Sequence, residues 1–181
     1  MLSAINEAVL ALVLPLALAS VPQNLPAGIS IGNEADPYPP VVARLVRAFV
    51  QYSRWPGNPS ALRACVVGPA DHADDLLAGR QVAAIGVEVV ERNLDTVRAA
   101  DCSIVYIGRL GIDDQRLVTA RMKGEAVMTI AENDPACRSR AMFCLLFEAR
   151  SLSFRLNIDA VAQSLVRVDP RVLLLADGEP E

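Results

Sequence analysis

Apolar residues between positions 40 and 56 recur with the spacing of one face of an α-helix. The residues that carry this i, i+3, i+4, i+7, i+8 pattern are Val42, Leu45, Val46, Phe49 and Val50. Pro40 suits the first turn of a helix, and Pro56 disfavours the α conformation at Trp55. The pattern predicts an amphipathic helix that begins at Pro40 and is ended by Trp55 and Pro56.

Beyond this helix, short runs rich in β-branched residues alternate with helical patterns. The predicted strands are Ala64–Val67, Val87–Glu91, Ser103–Ile107 and Ala126–Ala131. The predicted helices between them are Asp71–Leu77, Asp95–Ala100 and Asp113–Met122. Strands that are joined by helices predict a parallel sheet with helices on both faces.

The pattern changes after residue 142. Phe143–Ala149 and Leu152–Asn157 flank Arg150 and Ser151 and predict an antiparallel β-hairpin. The helical segments Ile158–Leu165 and Arg171–Ala176 follow, the second opened by Pro170. The predicted fold class is therefore α/β: a single domain with a central, mainly parallel sheet flanked by helices and a C-terminal antiparallel hairpin.

The N-terminal segment has the pattern of a secretory signal peptide. Residues 8–19 form an uncharged apolar run that is shorter than the roughly 20 residues needed to span a bilayer. The run ends in Ala17, Leu18 and Ala19, a small-x-small cleavage pattern. Because Glu7 and no Lys or Arg precedes the run, a buried amphipathic helix is the alternative. We expect a signal peptide at residues 1–19, a linker at 20–40, the α/β domain at 41–176 and a tail at 177–181.

The chain lacks the residue patterns of most enzyme classes. It contains no glycine-rich phosphate loop, no Gly-x-Ser-x-Gly and no Cys-x-x-Cys. His72 is the only histidine, and the aspartates beside it could hold a cation or compensate the dipole of a helix start. The net charge of −4, with Arg scattered among Asp and Glu, argues against nucleic acid and anionic membranes as partners. We expect no enzymatic activity, no metal and no cofactor.

Four cysteines behind an export signal indicate disulfides in an oxidising compartment. Cys137 and Cys144 flank a short loop, so a local bridge between them is natural. Cys65 and Cys102 each begin a predicted strand, and neighbouring strands lie within disulfide reach. Of the three pairings that four cysteines allow, we expect Cys65–Cys102 and Cys137–Cys144. Both bridges can be purely structural, or one of them can be a redox input.

Two further sites are open to a small ligand. Arg54 beside Trp55 could stack or bind an anion, although a helix-end arginine without a partner explains it equally well. Sheets of this class bind ligands at the carboxyl ends of their strands, here near Gly68, Gly108 and Ala131. A periplasmic small-molecule-binding protein is therefore the alternative function. A thiol oxidoreductase is a third class, for which we expect no activity.

The order of several segments resembles that of the YfiR family of periplasmic proteins over residues 41–176. These segments are Tyr52–Pro56, Arg63–Gly68, Cys102–Gly108, Cys137–Cys144 with Met142 and Phe143, Phe154–Asn157 and Val168–Ala176. The resemblance implies a dimeric α/β protein with two intramolecular disulfides. It also implies that the protein binds the periplasmic sensory domain of an inner-membrane diguanylate cyclase and keeps it inactive. Cyclic-di-GMP and biofilm formation would fall as a result.

The resemblance also implies a contact surface built from the loop between Cys137 and Cys144, the last hairpin and the following helix. The matching positions are Phe143, Arg155 and Val161. The family usually has Glu where this chain has Arg155, and glycines are replaced near Arg140 and by Leu165. Phe143 could equally begin a core strand, and Val161 could equally be a core residue.

Overall fold

The computed structural model describes residues 28–32 and 35–176. The predicted signal peptide and tail lie outside these residues. The elements follow in the order β1 (Ile29–Ser30), α1 (Tyr38–Gln51), β2 (Ser53–Arg54), β3 (Leu62–Val67), α2 (Asp74–Leu77), α3 (Arg80–Ala83), β4 (Val87–Arg92), β5 (Ile104–Ile107), α4 (Ile112–Met122), β6 (Met128–Ala131), β7 (Phe143–Glu148), β8 (Ser151–Leu156), α5 (Ile158–Ala162) and β9 (Arg167–Val168). In the described part of the chain, no helix is long and apolar enough to cross a membrane.

The central sheet has seven strands in the order β1-β8-β7-β6-β5-β3-β4. Strands β4, β3, β5, β6 and β7 run parallel, whereas β8 pairs antiparallel with β7 and β1 pairs antiparallel with β8. A separate two-stranded antiparallel sheet joins β2 to β9. The predicted fold class is therefore confirmed, including the C-terminal hairpin, which is β7–β8.

Helices cover both faces of the sheet because its central strands are apolar on both sides. On one face α1 packs on the main core, where the ring of Phe49 stacks on that of Phe143 with centroids 4.0 Å apart. The ring of Phe154 on β8 meets Phe49 edge-on at 4.8 Å. On the other face, Val118 and Met122 of α4 pack on β3 and β5. The aromatic cluster therefore ties the N-terminal helix to the C-terminal hairpin.

Two disulfides lie on the face of the sheet that α4 covers. Cys65 of β3 is bonded to Cys102, which precedes β5, and the two strands are parallel neighbours. Cys137 is bonded to Cys144 of β7. We refer to residues 137–144 as the second disulfide loop. Three of the four cysteines are buried, whereas Cys137 is partly exposed.

Helix boundaries differ from the predictions where a backbone turn interrupts the pattern. The segment predicted as helix Asp95–Ala100 contains only the short 3₁₀ helix Ala99–Asp101, because Arg98 is extended. The helix predicted from Asp71 begins at Asp74, and the helix α3 after it was not predicted. Gly79 separates α2 from α3 with a φ of +70°, a conformation that breaks a helix.

The C-terminal elements are shorter than their patterns indicate. The helix predicted to extend to Leu165 ends at Ala162, and the segment predicted from Arg171 is the 3₁₀ helix Pro170–Leu175. The pairing of β2 with β9 was not predicted, because two-residue strands are too short to show an alternating pattern.

We predict that removing the Cys65–Cys102 bridge costs more stability than removing the Cys137–Cys144 bridge. The loops they close span 37 and 7 positions, and chain entropy gives about 4 and about 2.5 kcal/mol respectively. Urea unfolding of the paired Cys→Ala variants measures the two losses. Since both variants delete two sulfur atoms, equal losses would mean that packing, not loop closure, determines the effect.

Candidate functional site

The second disulfide loop is fastened to its neighbours by hydrogen bonds as well as by its bridge. The amide of Ser139 donates to Asp134 Oδ2 at 2.6 Å, and its carbonyl accepts from Thr119 Oγ1 of α4 at 2.6 Å. The amide of Met142 donates to Thr129 Oγ1 of β6 at 2.9 Å. Hydrogen bonds to α4 and β6 thus hold the loop in one conformation.

Asp134 is a buried carboxylate that anchors this loop. Its burial acts to raise the pKa, but hydrogen bonds from Ser139 and from the backbone of Arg138 outweigh burial and hold the pKa below the ordinary value. Such a carboxylate stabilises the fold above the pKa of the unfolded chain, and the stabilisation is lost as pH falls through the folded value. The loop therefore loses part of its support only in acid.

Phe143 lies in the core. Of the two interpretations of this residue, a partner contact or the start of a core strand, the structure shows the core strand. Its side chain is fully buried on the α1 face, stacked on Phe49. Cys144, the next residue, points to the opposite face because side chains alternate along a strand. Phe143 therefore supports the strand that carries the disulfide and does not present its ring at the surface.

Arg155 and Val161 lie on neighbouring elements beside the second disulfide loop. Arg155 is exposed on β8 and is the cross-strand partner of Cys144. Val161, on α5 directly after β8, is half-buried against the main core. Ile158 at the start of the same helix is 71% exposed, and Leu165 just beyond its end is 54% exposed. The surface therefore combines the cation of Arg155 with exposed apolar side chains.

Arg54 and Trp55 do not form a joint surface site. The indole of Trp55 is buried and donates to the carbonyl of Ser103 at 3.1 Å. Arg54 is exposed, and its guanidinium donates to the carbonyls of Gln51 at 2.9 Å and Ser53 at 2.8 Å. Trp55 is thus an anchor between β2 and the sheet, while Arg54 stabilises the turn after α1.

A carboxylate already occupies the positive corner near Arg54. Asp169 accepts three hydrogen bonds from side-chain nitrogens of Arg171, two from Nε at 3.1 Å and one from Nη2 at 2.7 Å. Hydrogen bonds from Arg171, with a smaller contribution from the charge of Arg54, lower the pKa of Asp169 to about 2. The guanidinium of Arg171 also lies 5.9 Å from the ring centre of Tyr52. This corner is a closed network, which weakens the case for anion binding at Arg54.

The carboxyl ends of the parallel strands are covered by the chain itself. A Cβ atom at Gly108 would lie 2.2 Å from the carbonyl oxygen of Pro69, so the loop after β3 contacts the backbone there directly. Gly68 has a φ of +80°, and a Cβ on it would lie 2.5 Å from the side chain of Leu110. The space near Gly68 and Gly108, where a ligand was expected under the alternative function, is filled by these loops.

Glu132 holds that cover in place and was not singled out from the sequence. The carboxylate is 3% exposed and accepts from the amides of Asp71 at 2.9 Å and His72 at 2.7 Å. It also accepts from the hydroxyl of Tyr106 at 2.9 Å. Burial, then the charge and hydrogen bond of Glu132, raise the pKa of Tyr106 well above its usual value. The available signal was an acidic residue placed directly after the buried strand β6.

His72 belongs to this cover. Its ring lies 4.7 Å from the rings of both Tyr38 and Phe147, and its Nδ1 lies 3.5 Å from Asp36 Oδ1. Asp74 and Asp75 lie in the first turn of α2, as the helix-dipole interpretation predicts. Within residues 28–32 and 35–176, no three metal-ligating side chains come together.

The family described as YfiR/HmsC-like matches residues 40–177. The match spans every strand of the central sheet except β1, both disulfides and the α5 segment. The resemblance indicated by the ordered sequence segments is therefore confirmed.

We predict that Tyr106→Phe destabilises the fold, because Glu132 then loses one of three donors in a buried site. Hydrogen bonds to charged groups are worth about 1.5–3 kcal/mol, and urea unfolding at pH 7 measures the loss. Since the folded pKa is raised, the native protein should also lose stability above about pH 10, where the unfolded chain releases the phenolic proton.

The loss of stability at alkaline pH should be smaller in Tyr106→Phe than in Tyr52→Phe, because the second variant keeps the buried phenol. In an absorbance titration of the folded protein, the component that Tyr106→Phe removes should ionise above the usual range of a tyrosine. A titration of the native protein without such a component would contradict the assignment of Tyr106 to a buried pair with Glu132.

Proposed function

We propose, because the chain belongs to the YfiR/HmsC-like family, that it is a periplasmic negative regulator of an inner-membrane diguanylate cyclase. In this proposal the protein is not an enzyme. It binds the periplasmic sensory domain of the cyclase, keeps the cyclase inactive and thereby lowers cyclic-di-GMP and biofilm formation. Export would follow from a signal peptide at residues 1–19.

The observation that carries the proposal is a rigid, exposed surface that includes the second disulfide loop, Arg155 and α5. The loop is closed by its bridge and fixed through Ser139, so little ordering cost remains to be met on binding. Ile158 begins α5 and Leu165 follows its end, and both provide exposed apolar area on the segment after the strand of Arg155. Arginine is enriched at protein–protein interfaces, whose buried centres are more apolar than the rest of the surface.

The three positions implied by the family would act in different ways. Arg155 and Val161 would contact the cyclase, while Phe143 would act from the core by holding β7 and its disulfide in place. Because this chain has Arg155 where the family usually has Glu, its partner should carry a complementary acidic residue at the contact. Charge complementarity of this kind favours one partner over others.

Repression would follow from differential binding. A regulator that prefers the inactive sensory domain shifts the cyclase population by the ratio of its affinities for the two conformations. A tenfold preference corresponds to about 1.4 kcal/mol. No chemical step is needed, which fits a chain whose sequence contains none of the common catalytic motifs.

Redox sensitivity is part of the proposal and would act through the second disulfide. Cys137 is the partly exposed member of the two bridges, whereas Cys65, Cys102 and Cys144 are buried. A reductant therefore reaches Cys137–Cys144 first. Opening that bridge would loosen the loop at the contact surface without releasing β3 from β5.

A homodimer is proposed as the functional assembly. Leu173 and Leu174 in the 3₁₀ helix after β9 are 44% and 49% exposed and offer an apolar patch. Sedimentation equilibrium of the native protein and of Leu173→Ser/Leu174→Ser tests whether this patch mediates self-association.

We predict that deleting the gene raises cellular cyclic-di-GMP and that the native gene restores the low level. Arg155→Glu should fail to restore it, because the charge at the contact is reversed. Arg44→Glu is the matched control, since Arg44 is exposed on α1 and carries the same charge change away from the surface. Equal behaviour of the two variants, with both proteins folded and present, would remove Arg155 from the interface.

We predict that reductant weakens binding of the purified protein to the sensory domain of its cyclase. The variant lacking Cys137 and Cys144 should bind weakly under both conditions, because its loop is always open. Calorimetry with and without dithiothreitol measures the effect. Unchanged affinity after both bridges are reduced would leave them purely structural.

A further inference from the structure

An open groove of about 910 Å³ lies between α4 and α5, over β6 and the second disulfide loop. Its floor is formed by buried side chains of Val127, Thr129 and Met142. Small-molecule sites usually have volumes of about 300–1,000 Å³, so the groove has the right size for an organic ligand. It lies apart from the covered strand ends and from the corner at Arg54.

The charged side chains of the groove are mostly positive, although the chain as a whole has a net charge of −4. Arg116, Lys123 and Arg140 line it together with a single carboxylate, that of Asp159. Arg116 is engaged with Asp113 at 3.5 Å and with the carbonyl of Arg138 at 3.1 Å.

Lys123 and Arg140 differ from Arg116 in having no partner. Their side chains are exposed, and neither makes a hydrogen bond or ion pair with any of the described residues. The groove therefore offers two uncompensated cations.

The backbone of Arg140 adopts a conformation that is unfavourable for a residue with a side chain. Its φ is +64°, in the left-handed region that residues other than glycine rarely adopt. A glycine would avoid this cost, and the side chain makes no hydrogen bond or ion pair with the described residues that would offset it. Strained backbone of this kind is typical of functional positions. The position therefore indicates a role for the guanidinium outside the fold itself.

The side chains at the base of the groove indicate the chemistry of the uncharged part of the ligand. Val127, Met142 and the nearby Met122 are apolar, while the hydroxyls of Thr119 and Thr129 are already bonded to the second disulfide loop. The groove therefore has few free polar groups at its base and two free cations at its rim. This combination suits a ligand with an apolar body and an anionic group.

We infer that the groove between α4 and α5 binds a small organic anion, whose charged group is held by Arg140 and Lys123. The same ligand would contact both the second disulfide loop and α5. These two elements are already joined by a hydrogen bond, in which the amide of Asn157 donates to the carbonyl of Met142 at 2.8 Å. Occupancy would therefore restrain the two elements of the cyclase-binding surface. Only this coupling rests on the proposed function; binding itself does not.

The first experiment compares two fluorescent probes on the purified folded protein. 1-Anilinonaphthalene-8-sulfonate is an aromatic anion, and N-phenyl-1-naphthylamine has the same rings without the charge. The anion should bind with one-to-one stoichiometry and more tightly than the neutral probe. Arg140→Gln and Lys123→Gln should each weaken the anion about fivefold and leave the neutral probe unchanged. Arg44→Gln, on the opposite face of the sheet, should change neither.

A second experiment locates the probe. Because Lys123 is the only lysine, reductive ¹³C-methylation gives one side-chain NMR signal in addition to that of the N-terminal amine. The lysine signal should shift on addition of the anionic probe and the amine signal should not. Displacement by phenyl phosphate or by phenylacetate identifies a phosphate or a carboxylate as the preferred group. If neither displaces the probe, the cations do not select an anion and the inference is wrong.

Arg140→Gly separates binding from stability. Glycine should raise the urea midpoint, because it removes the left-handed strain, and should weaken the anionic probe. A lower midpoint with unchanged probe affinity would assign Arg140 a structural role and overturn the inference. Since cyclase is absent from all of these measurements, failure of the proposed regulatory function would not affect them.

Discussion

The alternation of side chains along β7 is the constraint on which the rest of the molecule depends. Phe143 enters the core on one face and stacks on Phe49, so α1 is fixed to the middle of the sheet. Cys144, one residue later, faces the other side and closes the second disulfide loop. One strand thus joins the interior of the protein to its candidate surface. A shift of β7 by one residue would move the phenylalanine to the face of the disulfide and the disulfide to the face of α1.

The long, strongly patterned segments could be predicted from the sequence, because the spacing of their apolar residues follows the side of the helix or strand that is buried. The apolar face of α1 and the β-branched runs of β3 and β5 are examples. Short elements could not, since two residues such as those of β2 carry no period. The helix predicted at residues 95–100 does not form because the backbone of Arg98 is extended. Tertiary structure overrides local helix propensity at this position.

The candidate site was less accessible to sequence reasoning, because burial and not residue type decides the role of each side chain. A phenylalanine between two cysteines fits an exposed loop and a core strand equally well, and only the sheet register places Phe143 inside. Glu132 gave only the weak signal of an acidic residue after a buried strand, and Lys123 gave none, since the surroundings of both come from segments distant in the chain. The groove beside α4 is formed by residues from four elements and has no contiguous sequence signature.

The pairing of the first strands with the last ones has a consequence for how the chain folds. Ile29 of β1 lies opposite Leu152 of β8, and Ser53 of β2 opposite Val168 of β9, so both ends of the domain meet in the sheets. Contacts this distant in sequence form late, because closing long loops costs entropy before any contact is gained. A chain exported as proposed would therefore lack its native edges until nearly its whole length had crossed the membrane. In that case these pairings between the two ends of the domain would form only on the far side of the membrane.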